Sequence, residues 1–170
     1  LNQYYKFTKN ILDTFAFCLL PNHFHIMARI RIDSPEMISE TFRKFFISYS
    51  MSINKQQERK GSLFQRGFKR KLIDDENYFY AAVYYIHSNP VHHSIVKQID
   101  SYKYSSYNIL IGEKETKLQR QEIFDWFNGK DNFIEYHRKE RNKVFDDSFI
   151  IMAVVAKIGD NMSSLEKTRR

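Results

Sequence analysis

His23 and His25 are separated by a single residue, Phe24, in a stretch that alternates apolar and polar positions. In an extended strand the side chains at i and i+2 share a face, so both imidazoles project one way while Phe24 turns to the other. Their Cα atoms then stand about 6 to 7 Å apart, which lets two ring nitrogens share one divalent ion. Two ordinary histidines beside a turn carry the same pattern, so an isolated H-x-H does not decide between the readings. A second group lies further along. Tyr78, Ala82, Tyr85 and Asn89 follow i, i+4 spacing, so on a helix Tyr85 and Asn89 project together. The Asn89 amide oxygen is a hard ligand that can complete a His–His–Asn donor set. Such a mixed nitrogen and oxygen set with open positions suits Mg²⁺ or Mn²⁺ bound together with a substrate phosphate, with zinc the rival by affinity. A packed core tyrosine is the competing reading of Tyr85, because Tyr80 and Tyr84 stand beside it. A third group is basic: Lys55, Arg59, Lys60, Arg66, Lys69, Arg70 and Lys71. It precedes the tyrosine segment, where a DNA-binding border or a plain solvated face fits equally.

These residues need elements to hold them. Residues 13 to 20 are apolar, with aromatic content, and read as a strand; Pro21-Asn22 is a turn signal; residues 23 to 32 alternate as a second strand with one apolar face. The two form a hairpin. Ser34-Pro35-Glu36 starts a helix, with proline at its first position. Ile38, Phe42, Phe45, Phe46, Tyr49 and Ile53 give that helix a broad aromatic face. Residues 54 to 62 are polar and loop-like, and residues 68 to 73 form a further strand. Asp74-Asp75-Glu76 opens the tyrosine helix, where acidic residues suit the helix dipole, and Pro90 stops it near Asn89. Phe79, Val83 and Ile86 form its core face, and further helices are expected at 118–128, 131–142 and 147–158. Strands, helix, strand, helix and a helical tail make an α+β plan on an antiparallel sheet.

The chain has 170 residues, a net charge of +7 and 16% aromatic residues. One domain with an appendage accommodates that length. The positive excess favours a polyanionic partner, of which nucleic acid is the common one, and exposed aromatics can stack on unpaired bases. The single cysteine, Cys18, lies in an apolar run and reads as a buried, inert thiol. No internal disulfide can form, which suits a cytoplasmic location. No apolar stretch reaches the roughly 20 residues that span a bilayer, and no signal peptide is visible.

Four runs occur in a fixed order: Leu20-Pro21-Asn22-His23-Phe24-His25-Ile26, Leu63-Phe64-Gln65-Arg66-Gly67-Phe68-Lys69, Tyr85-Ile86-His87-Ser88-Asn89-Pro90-Val91 and Tyr104-Ser105-Ser106-Tyr107. Together they resemble the motifs of HUH single-tyrosine transposases, in particular the REP-associated tyrosine transposases related to the insertion-sequence-200 type. The resemblance covers about residues 13 to 110. It implies a ferredoxin-like or RRM-like antiparallel sheet with helices packed on it. It also implies His23 and His25 as metal ligands, Asn89 as the third ligand, Tyr85 as the nucleophile, and Mg²⁺ or Mn²⁺ as the metal. His87 falls on another face of the helix and is not placed in the metal site. The family normally opens with a strand and a helix ahead of residues 13 to 20, so a first strand is expected to be missing from this chain.

The implied reaction is cleavage and rejoining of single-stranded or hairpin DNA through a 5′-phosphotyrosine link. It needs no nucleotide cofactor and no membrane, and both homodimers and monomers fit it. A domesticated nuclease acting on repeat hairpins and a catalytically inactive nucleic-acid-binding module are the alternatives. Residues 1–112 are expected to be the catalytic domain and 113–170 a helical extension. Within the extension, 147–170 resembles a helix-turn-helix able to grip duplex DNA, with Ser163 and Glu166 as a capping box; an ordinary helix pair fits those residues as well.

Overall fold

The computed structural model describes residues 1–32, 34–64, 71–73, 75–140 and 152–155. The chain divides into two compact units, one made of Leu1–Leu12 and Ile30–Phe68, the other of Asp13–Arg29 and Lys69–Arg170.

The first unit holds helices α1 (Asn2–Thr8) and α2 (Pro35–Gln56). The Ser34 hydroxyl accepts the Met37 N–H at 3.3 Å, and Pro35 occupies the first turn, where its missing N–H is of no consequence. The buried face of α2 carries Ile38, Phe42 and Phe45. Tyr4 of α1 meets the Phe45 ring edge-on at 5.8 Å, and Gln3 donates to the Ser48 hydroxyl at 2.7 Å.

The second unit carries the sheet. Strand β1 (Leu12–Leu19) turns through Pro21-Asn22 into β2 (Phe24–Ile30), and the Leu20 N–H bonded to the His23 carbonyl at 2.8 Å closes the hairpin. The sheet order is β1-β2-β4-β3, with β3 at Lys71–Ile73 and β4 at Met152–Val155. The α+β class is the expected one, but the sheet is mixed, because β4 lies between β2 and β3 and runs parallel to both. Residues 152–155 were expected within a helix. They are β4 instead, and their β-branched and apolar run Met152-Ala153-Val154-Val155 suits a strand flanked on both sides. The rest of the expected helix-turn-helix, including Ser163 and Glu166, lies outside the described residues.

Helix α3 (Glu76–His92) is capped by Asp75, whose carboxylate accepts the Tyr78 N–H at 2.8 Å. It does not stop at Asn89 as expected. Pro90 sits within its last turn, and the helix ends beyond it, with the His93 N–H on the Asn89 carbonyl and Ser94 at a left-handed φ of 55°. A proline near a helix end removes one hydrogen bond without breaking the turn above it. From Ala82 to Pro90 every residue is buried, the behaviour of a helix enclosed on all sides. Around it stand α4 (Tyr107–Ile111), α5 (Arg120–Trp126) and α6 (Lys130–Lys139). Phe15 of β1 packs on Trp126 at 4.8 Å, Phe79 packs on Trp126 at 4.1 Å, and the Tyr80 hydroxyl donates to the Trp126 carbonyl. Among the described residues no helix is long and apolar enough to cross a membrane. Cys18 is fully buried, and burial pushes its thiol up to about 12, as expected of an inert cysteine.

A polar chain fastens α3 to its surroundings, from α6 at one end to β1 at the other. The His137 Nδ1–H donates to the Phe133 carbonyl at 2.8 Å, so its Nε2 accepts from His87 Nδ1–H at 2.9 Å. His87 Nε2 then accepts the Ser106 hydroxyl at 2.7 Å, and the Ser106 oxygen accepts the Phe17 N–H at 2.9 Å. Both imidazoles are neutral, every donor has an acceptor, and four segments are joined in one line. Ser106→Ala strands two buried groups and is expected to destabilise the fold by about 1–3 kcal/mol.

Burial lowers His137 from 6.5 to about 4. Since the unfolded chain binds that proton first, the contribution of His137 is intact above pH 6.5 and is lost as pH falls toward 4, by up to about 3 kcal/mol. Urea unfolding at pH 7 and pH 4.5 is expected to show this loss, with a shallower pH slope in His137→Gln.

Candidate functional site

His25 is the first polar residue inside β2, and the hairpin turn sets His23 just before that strand. Their rings lie 5.0 Å apart, edge to face. The expected single apolar face of this strand is replaced by burial on both sides: His25 and Met27 are as deeply buried as Ile26 and Ala28. The covering element on the histidine side is α3, whose Tyr85 ring stands 5.3 Å from His25. Further along that face, Arg29 bridges Asp13 at 2.9 Å and also bonds Glu122, which ties α5 to the hairpin.

The two histidines are held differently. His23 is partly exposed, and its Nδ1 lies 2.7 Å from the Asn22 side-chain oxygen. That contact puts the proton on Nδ1 and the lone pair on Nε2, the arrangement of a metal-ligating imidazole oriented by a neighbouring acceptor. His25 is 2% exposed, and neither of its ring nitrogens makes a well-formed hydrogen bond, the Asn89 side chain being its polar neighbour. Burial, together with His23, lowers it from 6.5 to about 4, so it is neutral at pH 7. The Asn89 side chain is close enough to pull in the opposite direction. A neutral imidazole in a buried polar corner has the protonation state that a divalent ion requires.

Asn89 lies one helical turn after Tyr85. Its amide NH₂ donates to the Tyr85 carbonyl at 3.0 Å, which leaves the amide oxygen as the atom able to face a ligand. His23, His25, Tyr85 and Asn89 are thus gathered at one end of the hairpin, in one unit. Among the described residues no group of three or more His, Cys, Asp or Glu side chains is gathered for a metal ion. The donor set at hand is therefore two imidazoles and one amide, with no carboxylate.

Tyr84 faces elsewhere. It is 1% exposed, with its ring 5.7 Å from His137 and 6.4 Å from Tyr136. His87 belongs to the Ser106–His137 chain. Of the basic residues, Lys55, Arg59 and Lys60 are exposed in the first unit. Lys71 is exposed in the second, with its ammonium 4.2 Å above the Tyr78 ring. Arg66, Lys69 and Arg70 lie outside the described residues.

Two residues at the site were missed by the sequence reading. The exposed His93 ring is 5.2 Å from His23, and His92 is 6.4 Å from Tyr85. The i, i+4 series Tyr85, Asn89 continues to position 93, so the same periodicity would have found it. Ending the helix at Pro90 hid that step.

No family model and no solved structure matches the chain. A curated relative does match, being 28% identical over 104 residues that amount to 56% of this chain. The chain spans about 59% of that relative's length. The protein it is similar to is a Haemophilus influenzae protein named as a REP-associated tyrosine transposase.

Proposed function

We propose that the chain acts in DNA transposition, cleaving and rejoining single-stranded or hairpin DNA through a 5′-phosphotyrosine intermediate at Tyr85. In this reading His23, His25 and Asn89 hold a divalent metal, Mg²⁺ or Mn²⁺. The observation that supports it best is the pairing of Tyr85 with a buried, neutral His25 whose ring nitrogens make no well-formed hydrogen bond and whose polar neighbour is Asn89. A buried imidazole in that state is costly unless something else satisfies it. The relative's name, a tyrosine transposase, supports the transposition part of this reading.

When bound, the metal supplies Lewis-acid polarisation of the scissile phosphate. The chain's own residues do the rest. Asn22 fixes the tautomer of His23. The body of α3 holds Tyr85 and Asn89 one turn apart, so that the nucleophile stands beside the amide that would help hold the metal. The Tyr85 oxygen forms the new bond to phosphorus and loses its proton, while the bond from phosphorus to the 3′-oxygen breaks and that oxygen takes up a proton. The phosphotyrosine retains the energy of the phosphodiester, so a different 3′-hydroxyl can reverse the step without a nucleotide cofactor. Exposed lysine and arginine side chains bind backbone phosphates in a salt-dependent manner.

Incubation with end-labelled hairpin DNA and Mn²⁺ is expected to give a covalent adduct in the native chain and in Tyr84→Phe. Tyr85→Phe and EDTA-treated samples should give none. An adduct in Tyr85→Phe would overturn the assignment of the nucleophile. Metal binding has its own readout in thermal unfolding. Mn²⁺ at about 100 times its dissociation constant should stabilise the chain by roughly 2.7 kcal/mol, or on the order of 5–10 °C. His25→Ala is expected to abolish that shift, and an undiminished shift would remove the histidines from the metal site.

A further inference from the structure

The Tyr104-Ser105-Ser106-Tyr107 run has a structural duty that uses only part of it. The Tyr104 carbonyl accepts the Leu19 N–H at 2.9 Å, Cys18 and Ser105 form an antiparallel bridge, and the Ser106 N–H donates to the Phe17 carbonyl at 2.9 Å. These contacts close the outer edge of β1, and Ser106 also enters the histidine chain. None of them uses the ring of Tyr104. The residue is 51% exposed, although its backbone is fixed to the strand. Tyr102, with its hydroxyl on the Leu19 carbonyl at 2.7 Å, supports it edge-on at 5.7 Å. The Lys103 ammonium stands over one face of the ring, 4.8 Å from its centroid, where a DNA phosphate can draw it away.

We infer that Tyr104, with Lys103 beside it, is a stacking platform for an unpaired nucleobase of single-stranded DNA. The inference rests on the reading of this chain as one that acts on DNA. An ordered, half-exposed aromatic face next to a cation matches what unpaired nucleic acid needs, since every base has a π-face and every linkage a negative phosphate. The position fits as well. Leu19 bonds Tyr104 on one side of β1, while Leu20 bonds His23 on the other. Two strand spacings therefore separate the backbones of Tyr104 and His23, or about 10 Å. A strand with a phosphate at His23 and Tyr85 has a neighbouring base within reach of Tyr104.

The test is fluorescence anisotropy with the full chain and three labelled probes: a single-stranded oligonucleotide, the same backbone with abasic sugars, and a duplex. Tyr104→Ala is expected to weaken binding of the base-bearing single strand by about 5- to 150-fold, while Tyr104→Phe stays within about twofold of the native chain. On the abasic probe and on the duplex the three proteins should bind alike. Equal binding of Tyr104→Ala and the native chain to the single strand, or an equal loss on the abasic probe, overturns the platform.

Should Tyr104→Ala fail to fold, Tyr104→Trp replaces it. Its added fluorescence should be quenched by the base-bearing strand and not by the abasic one, and equal responses to both overturn the inference. The Tyr85 adduct separates the two levels of interpretation. Adduct formation with no effect at Tyr104 removes the platform and leaves the transposase reading. A base-dependent effect at Tyr104 with no adduct leaves the platform and removes strand transfer. Absence of any binding by the native chain removes both.

Discussion

From Ala82 to Pro90, α3 has no solvent-facing side, and each part of its circumference must be given a different partner. An amphipathic helix meets one environment with apolar side chains and leaves the other to water. Here water is not available, so the polar residues must be satisfied from within. His87 is satisfied by Ser106 and His137, and the Asn89 amide by the Tyr85 carbonyl. Tyr84 packs against α6, and Phe79, Val83 and Ile86 fill the apolar interior. Tyr85 is left to face the hairpin. The helix has one rotation that allows all of this, and that rotation places Tyr85 at His25.

His25 stands apart within this arrangement. Every nitrogen of the buried His87 and His137 rings has a partner, whereas neither nitrogen of His25 makes a well-formed hydrogen bond. A buried polar atom without a partner carries a desolvation penalty of about 1–3 kcal/mol. The fold satisfies one pair of buried imidazoles completely, while His25, beside a tyrosine and an asparagine amide, makes no well-formed hydrogen bond. The contrast lies within a single molecule, which makes it more telling than an H-x-H pattern alone.

The hairpin that carries the histidines is held from several directions. The segment from Tyr104 to Ser106 covers the edge of β1, so that edge offers no long row of unpaired backbone groups to another chain. On the other side β4 joins β2 to β3, which have no pairing of their own in the sheet order. Arg29 adds an ionic clamp to Asp13 and Glu122, with its guanidinium 5.3 Å from the Phe15 ring centroid. These contacts hold the strands on either side of the Pro21-Asn22 turn, beside which His23 and His25 stand.

Much of this was legible in the residues themselves. Alternation gave the second strand of the hairpin, and the runs Ser34-Pro35-Glu36 and Asp74-Asp75-Glu76 marked two helix starts. Spacing along α3 paired Tyr85 with Asn89. Local periodicity and capping depend on near neighbours, so a sequence records them directly. Three features depended on distant neighbours and were not legible. The 152–155 segment is a strand between β2 and β3, and its short apolar run did not by itself separate a strand from a turn of buried helix. The face of β2 that carries His25 is buried because α3 covers it, which no alternation pattern reports. His93 reaches His23 because α3 continues past Pro90, and a helix end is decided by what its last turn packs against as much as by the proline. The sequence by itself determined which side chains share a helix face or a strand face, since covalent geometry sets those periods. Only the tertiary structure decided which faces meet, and so which of two adjacent tyrosines stands against the histidines, because burial and hydrogen-bond satisfaction are properties of the whole packed unit.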